Sequence, residues 1–213
     1  DKQGYSVRAF QEQWFYCPVA SAVDAGGKSD RDDPYVPVLS FAQEQGADGA
    51  RYIWRTYSNL WEKKEYVLEV TPHVARYFVR VEGRGRVDAI RFFCGQAQYE
   101  AAGYMLPLAN HADYTRNLRM STEAGAIELG YFTPPCYCYP FYMADCGGWL
   151  GVGLAAREGQ YNFDRFLYCN ENAGTCGFAL PLNGQTAVEG AWESQSLLFV
   201  EGEDAYAVIR AYA

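Results

Sequence analysis

The chain has 213 residues, of which 49 % are hydrophobic and 21 % are charged, so a sizeable core can form and a mainly disordered state is excluded. The formal net charge of -8 argues against nucleic-acid and anionic-membrane partners, because both select basic surfaces, and it suits a neutral ligand. No apolar run approaches the roughly 20 residues that a membrane-spanning helix needs.

Aromatic residues are the unusual component, at 16 % of the chain. Aromatic side chains favour β-strands. Their flat rings also provide surfaces for sugars, although in most β-sandwiches they mainly fill the core. The composition therefore favours a β-rich protein and leaves a carbohydrate ligand open.

Strand patterns dominate the chain. The run Val74–Val81 places Tyr77 and Val79 on one face and Arg76 and Arg80 on the other, which is the period of two of a half-buried antiparallel strand. Further runs of this character lie at Arg51–Leu60, Glu65–Thr71, Val87–Cys94, Ala126–Gly130, Trp149–Ala155, Tyr161–Tyr168, Gly177–Leu182 and Ser196–Val200.

Turn residues separate these runs. Gly83 and Gly85 predict a turn before the strand that begins at Val87, and Asn183-Gly184 predicts another. Many short strands with regular turns and no alternation of strands with helices indicate a sandwich or a barrel. The sequence therefore predicts an all-β fold, a large antiparallel β-sandwich.

The last residues carry a helical pattern. Asp204 can cap the helix N-terminus, and no glycine stop precedes the end at Ala213, which predicts that the natural polypeptide continues. We therefore divide the chain into a β domain at residues 1–203 and the start of a helix at residues 204–213. The helical stripe consists of apolar residues Ala205, Val208, Ile209 and Tyr212.

The seven cysteines do not form an obvious disulfide framework, since their number is odd and their spacing does not repeat. We interpret them as mostly buried free thiols in a reducing compartment, which predicts a cytoplasmic protein. The alternative is a secreted or periplasmic protein whose signal peptide has been removed. The spacing of Cys136 and Cys138 does not match the paired knuckles of structural zinc, so we predict no metal and no cofactor.

Catalytic patterns are weak. A sugar mutarotase would need a histidine pair with a carboxylate, but the two histidines, His73 and His111, fall in a turn and a loop. A glycosidase would need two carboxyl groups across the sugar, and nothing in the spacing of the acids marks such a pair. We therefore predict no catalytic residue. The carboxylates considered by residue type alone are Asp145, Asp164, Glu189 and Glu193.

The segment Asp145–Gly153 is the most suggestive local feature. Two glycines precede Trp149 and leave its indole uncrowded, so that a sugar could stack on it while Asp145 accepts from a hydroxyl. The opposing interpretation is that Trp149 begins a strand and packs inward. On the first interpretation, Asp145 and Trp149 are the predicted substrate-binding residues.

The second half of the chain carries an ordered set of motifs at Asp145–Ala155, Gly159–Phe166, Gly177–Leu182, Glu189-Gly190, Ser196–Phe199 and Asp204–Tyr206. This order resembles the N-terminal β-supersandwich domain of the α-galactosidase and raffinose-synthase (melibiase) clan of glycoside hydrolases. In that clan, G-W-x-x-x-G and Y-x-F-x-x-F strands and a G…P-x-L…D-x-Y exit precede the catalytic barrel. The resemblance covers roughly residues 87–213.

The resemblance implies a galactose-mutarotase-like supersandwich that is not itself catalytic. The aspartates that act in that clan lie on the barrel, which is absent from this chain. The domain would pack on that barrel and shape its active-site rim, with Asp145 and Trp149 as rim residues for α-galactosides or related oligosaccharides.

Two alternatives stay open. The chain could be a self-contained carbohydrate-binding module, or a mutarotase-type sugar epimerase, which the scarcity of histidine disfavours. An accessory domain should expose an apolar patch where the missing catalytic domain docks, and such a patch would also favour homo-oligomers.

Overall fold

The computed structural model describes residues 5–9, 12–17, 21–25, 28–31, 37–96, 103–105, 118–119, 125–127, 138–143, 148–155, 167–170 and 175–213. Within these ranges the chain forms strands and one helix. The strands of the first half are β1 (Tyr5–Ala9), β2 (Glu12–Cys17), β3 (Ser21–Ala25), β4 (Lys28–Arg31), β5 (Val38–Gln45), β6 (Ala50–Thr56), β7 (Lys63–Val70), β8 (Val74–Gln96) and β9 (Gly103–Met105). The remaining elements are β10 (Leu118–Arg119), β11 (Gly125–Ile127), β12 (Cys138–Met143), β13 (Gly148–Leu154), β14 (Leu167–Asn170), β15 (Thr175–Glu193), β16 (Leu197–Gly202) and α1 (Ala205–Tyr212).

Strand β8 organises the fold. It is 23 residues long. The first part of β8 lies between β7 and β16, and its second part lies between β3 and β15, all antiparallel. From β8 the pairing continues through β7 and β6 to β5 in one direction, and through β16 and β13 to β12 in the other. The structure thus confirms the predicted all-β sandwich with a short C-terminal helix.

The core lies where the predicted apolar face of β8 is covered. Tyr66 and Tyr77 are fully buried, with ring centroids 6.0 Å apart and planes at 12°. Phe92 meets the ring of Tyr77 edge-on at 5.8 Å. Such aromatic contacts add about 0.5–1.5 kcal/mol each beyond the burial of apolar area. Tyr77 and Val79 thus share a buried face as predicted, but Phe78 on the other face is buried as well, so the strand is not half-buried here.

The predicted turn at Gly83 and Gly85 is wrong, because both glycines lie inside β8. The indole of Trp61 packs against them. A Cβ at Gly83 would lie 3.4 Å from Cε3 of Trp61, and one at Gly85 would lie 3.5 Å from its Cη2. Gly83 also has a φ of 144°, which side chains rarely adopt. Both contacts are of ordinary van der Waals length, so the φ of Gly83, and not the space beside Trp61, is what favours glycine in this continuous strand.

The predicted turn at Asn183-Gly184 is a bulge inside β15. Pro181 pairs with Ala89, and Thr186 pairs with Val87, so the intervening residues 182–185 protrude from the ladder. Asn183 and Gly184 have φ values of 49° and 67°. Left-handed backbone at these two positions lets the strand resume its register after the bulge.

Helix α1 confirms the predicted stripe and cap. The carboxylate of Asp204 accepts a hydrogen bond from the backbone N–H of Ala207 at 2.6 Å. Val208 is fully buried and packs with Val200 of β16. The hydroxyl of Tyr212 donates to the backbone carbonyl of Leu154 at 2.5 Å. The helix is therefore bound to the end of β13 as well as to β16.

In the part of the chain that the structure describes, no helix is long and apolar enough to cross a membrane.

Candidate functional site

The two predicted binding residues have different outcomes. Asp145 lies outside the described residues. Trp149 lies at the start of β13, where it pairs with Gly202 of β16. Its half-buried side chain packs on the cluster of Val200 and Val208. The helix thus contacts one side of Trp149, and a role in sugar binding stays a prediction.

We expect Trp149→Ala to lower the free energy of unfolding by about 2 kcal/mol, less than the ~3–5 kcal/mol of a fully buried tryptophan, because only part of the indole is covered. Urea denaturation measures the loss. Tyr206→Ala is the matched control, since Tyr206 lies on the same helix but is 72 % exposed. Equal stability of both variants would show that the indole contributes nothing to helix packing.

A cleft of about 400 Å³ lies on the sheet where β8 and β15 face each other. Its lining includes the paired residues Gly83 and Gly190, which carry no side chains. A Cβ at Gly190 would meet nothing within 4 Å. The cleft is lined by Glu62, Glu82, Gly83, Arg84, Glu189, Gly190 and Ala191.

Two acidic side chains, one on β8 and one on β15, are held in ion pairs. Glu82 accepts from Lys63 at 3.0 Å. Glu193, a carboxylate considered from the sequence, accepts from Arg80 at 2.8 Å. These acids therefore serve ion pairs of the sheet. Among the residues that the structure describes, no group of three or more potential ligands could hold a metal ion.

The pKa of Lys63 is raised above its ordinary value of 10.5 by hydrogen bonds to Glu82 and then Glu65. Because the folded-state pKa exceeds the unfolded one, the stabilisation is fully present below pH 10.5 and is lost as pH rises through the folded value. When the pH is raised from neutral to above 10.5, we expect the melting temperature of wild type to fall further than that of Lys63→Met. Parallel pH profiles of the two proteins would contradict this. Lys63 is largely solvated, so the effect is small.

An exposed cluster of aromatic rings lies at the edge of the sheet, on β5 and β6. Phe41 pairs with Trp54 across the two strands, and their ring centroids are 5.5 Å apart. Tyr52 lies 6.2 Å from Trp54 and 6.4 Å from Phe41, with interplanar angles of 28° and 18°. Phe41 is 54 % exposed. The side chain of Gln43 lies on the same face, because Gln43 pairs with Tyr52. We call Phe41, Gln43, Tyr52 and Trp54 the aromatic surface.

The aromatic surface continues the face that is buried further inside. Trp54 pairs with Tyr66, and Tyr52 pairs with Leu68, so each row of side chains runs from the core out to the edge. Along these rows the side chains are buried at Tyr66, half-buried at Tyr52 and Trp54, and exposed at Phe41.

The opposite face of the same strands carries the charges. Glu44, Arg51, Glu69 and Arg76 are successive cross-strand partners on β5, β6, β7 and β8. The contacts along this row are Arg51 to Glu44 at 3.7 Å, Arg51 to Glu69 at 3.4 Å and Arg76 to Glu69 at 3.7 Å. Alternating signs across the sheet place each of these charges beside an opposite one. On β5 and β6 the charged side chains therefore lie on one face, and the other, the neutral face, carries none, while on β7 the buried Lys64 shares the face of Tyr66.

Sequence reasoning missed the aromatic surface. The run Arg51–Leu60 was predicted as a strand, and its alternation of Tyr52 and Trp54 with arginines was the signal that could have marked an aromatic face. Phe41 carries no such signal, because its position beside Trp54 depends on the register between two strands.

No protein-family model matches the sequence, and no curated protein matches it either. Among solved structures, the chain is similar to one described as the crystal structure of β-arabinopyranosidase, with a TM-score of 0.57 and 10 % sequence identity. The similarity covers 94 % of this chain and 36 % of that chain, so this chain spans about a third of the similar protein. At 10 % identity this similarity is evidence of a shared fold alone. The fold of this chain therefore also occurs in a glycoside hydrolase.

Proposed function

We propose that this chain is the non-catalytic N-terminal domain of a glycoside hydrolase that acts on α-galactosides or related oligosaccharides. The domain packs on the catalytic barrel of the same polypeptide and shapes its active-site rim. The observation that carries the proposal is the match of nearly the whole chain to 36 % of a β-arabinopyranosidase. The order of motifs from residue 87 onward supports the α-galactoside class in particular.

A glycosidase sets two carboxyl groups across the sugar, one of them free to act as an acid. Glu82 and Glu193 are engaged with Lys63 and Arg80 in the sheet, which disfavours these two acids as such a pair. Of the acids that line the cleft, Glu62 and Glu189 have no ion pair among the described residues.

The test compares this chain with the full polypeptide of its reading frame, using nitrophenyl α-galactoside and nitrophenyl β-arabinopyranoside. We expect no hydrolysis by residues 1–213 and hydrolysis by the longer protein. Replacing Asp145 or Trp149 in the longer protein should raise KM more than it lowers kcat, because a rim residue binds substrate without touching the reacting bond. Hydrolysis by the isolated chain would overturn the proposal.

The aromatic surface favours a second candidate, a carbohydrate-binding module. The two candidates differ in what the isolated chain does. A module holds a sugar by itself, whereas an accessory domain needs its barrel to complete a sugar site.

A further inference from the structure

We propose that the aromatic surface of β5 and β6 binds the apolar faces of pyranose rings in a neutral oligosaccharide. This site does not include Trp149, which lies on β13. It rests on the proposed function only for the choice of sugars as probes, since the geometry of the surface stands by itself.

The rings provide a compact apolar platform. All three centroid separations fall between 5.5 and 6.4 Å. Tyr52 lies within 28° of parallel to both of its neighbours. Aromatic rings gain contact area at low entropic cost, because few torsions are immobilised on binding. The antiparallel pairing of β5, β6 and β7 holds the ring positions before a ligand arrives.

The polar groups beside the rings match a neutral, hydroxyl-rich ligand. Gln43 and Gln45 lie on the same face of β5 as Phe41, and each amide can both donate and accept. The nearest charged side chains of these strands, Glu44 and Arg51, point to the opposite face and pair with each other. Apolar rings with neutral amides are the combination that sugar C–H faces and hydroxyls require.

The charge sorting favours a sugar over a docked protein. A protein interface typically surrounds its apolar centre with a polar, often charged rim. Here the exposed neighbours on the neutral face are amides and the apolar Val70, which is 37 % exposed. Within the described part of the chain, β5 pairs with β6 alone, so the surface is open at its outer side.

Affinity gel electrophoresis tests the site, with galactomannan and arabinogalactan as the immobilised probes. We expect both polysaccharides to retard wild type. The affinity of Phe41→Ala for them should be about tenfold lower, the factor that loss of one good ring contact produces. Trp54→Ala and Gln43→Ala should weaken binding as well. Tyr57→Ala is the matched control, because Tyr57 is also 54 % exposed but lies beyond the end of β6.

Circular dichroism melting checks that each variant is folded. Phe41 and Gln43 are exposed on an edge strand, so both variants should stay folded, with Phe41→Ala melting somewhat lower because it loses its ring contacts with Tyr52 and Trp54. Equal retardation of wild type and Phe41→Ala, or no retardation of wild type by either polysaccharide, would overturn the site. So would a Phe41-dependent dimer in sedimentation, which would make the surface a protein interface. Hydrolysis by the full polypeptide is scored separately, so either proposal can fail without the other.

Discussion

Replacing Asp30 with alanine is expected to lower the free energy of unfolding by about 3 kcal/mol, the lower end for a broken buried ion pair, because the buried ammonium of Lys64 loses this carboxylate. The Lys64 side chain is 0 % exposed and the Asp30 side chain is 8 % exposed. Nζ of Lys64 donates to Oδ2 of Asp30 at 2.9 Å, and the hydroxyl of Ser58 donates to the same oxygen at 2.5 Å. Urea denaturation of the two proteins at neutral pH measures the difference.

The pair also anchors the segment before β7. Oγ of Ser58 accepts from the backbone N–H groups of Leu60 at 3.1 Å and Trp61 at 2.8 Å. Asp30 therefore orients the hydroxyl that holds the Trp61 backbone in place. Loss of Asp30 should loosen the indole that packs on Gly83 and Gly85.

The matched control removes both charges. Asp30→Leu combined with Lys64→Met should recover most of the loss, because a well-packed apolar pair of similar volume is often neutral relative to a buried ion pair. A double variant that is as unstable as Asp30→Ala would show that the hydrogen bonds of Ser58, and not the loss of the ion pair, carry the effect.

Replacing Gly202 with valine is expected to displace helix α1 and to cost about 2–3 kcal/mol, at the upper end for overpacking. A Cβ at Gly202 would lie 2.8 Å from the backbone nitrogen of Val208 and 2.9 Å from its Cγ2. The backbone of a helix cannot yield locally, so the helix must move away from β16. Hydrogen exchange of the α1 amides and urea denaturation measure the displacement and the cost.

The control is Gly46→Ala, in the loop between β5 and β6. A Cβ there meets its nearest neighbour at 3.5 Å, an ordinary contact. Its stability should stay within about 0.5 kcal/mol of wild type. Unchanged protection of the α1 amides in Gly202→Val would contradict the close packing of helix and strand.

Much of the fold was predictable because its signals are local. The alternation of Tyr77 and Val79 with Arg76 and Arg80 reports the faces of one strand, and Asp204 reports one helix end. The failures at Gly83 and Gly85 have one cause. Glycine signals freedom of the backbone, but Gly83 uses that freedom for a φ of 144° inside a continuous strand and not for a turn.

The candidate site was less predictable than the fold. The sequence around Trp149 is compatible with an exposed indole and with one that packs inward. Only the tertiary structure shows that the indole packs against the cluster of Val200 and Val208. Likewise, Asp30 and Lys64 look like surface charges in a sequence, because charged residues are almost never fully buried unless they are paired. Their pairing joins β4 to β7 across more than thirty residues and leaves no local pattern.

The sequence by itself determined the all-β class, the alternation within strands and the capped helix, since each depends on residues within one turn or a few positions along a strand. Only the tertiary structure decided where a neutral aromatic face meets solvent. Tyr52 and Trp54 have the alternation of core residues, yet they are only half-buried, next to the fully exposed strand β5. The register between β5 and β6 then adds Phe41 and Gln43, and register is a property of two strands together.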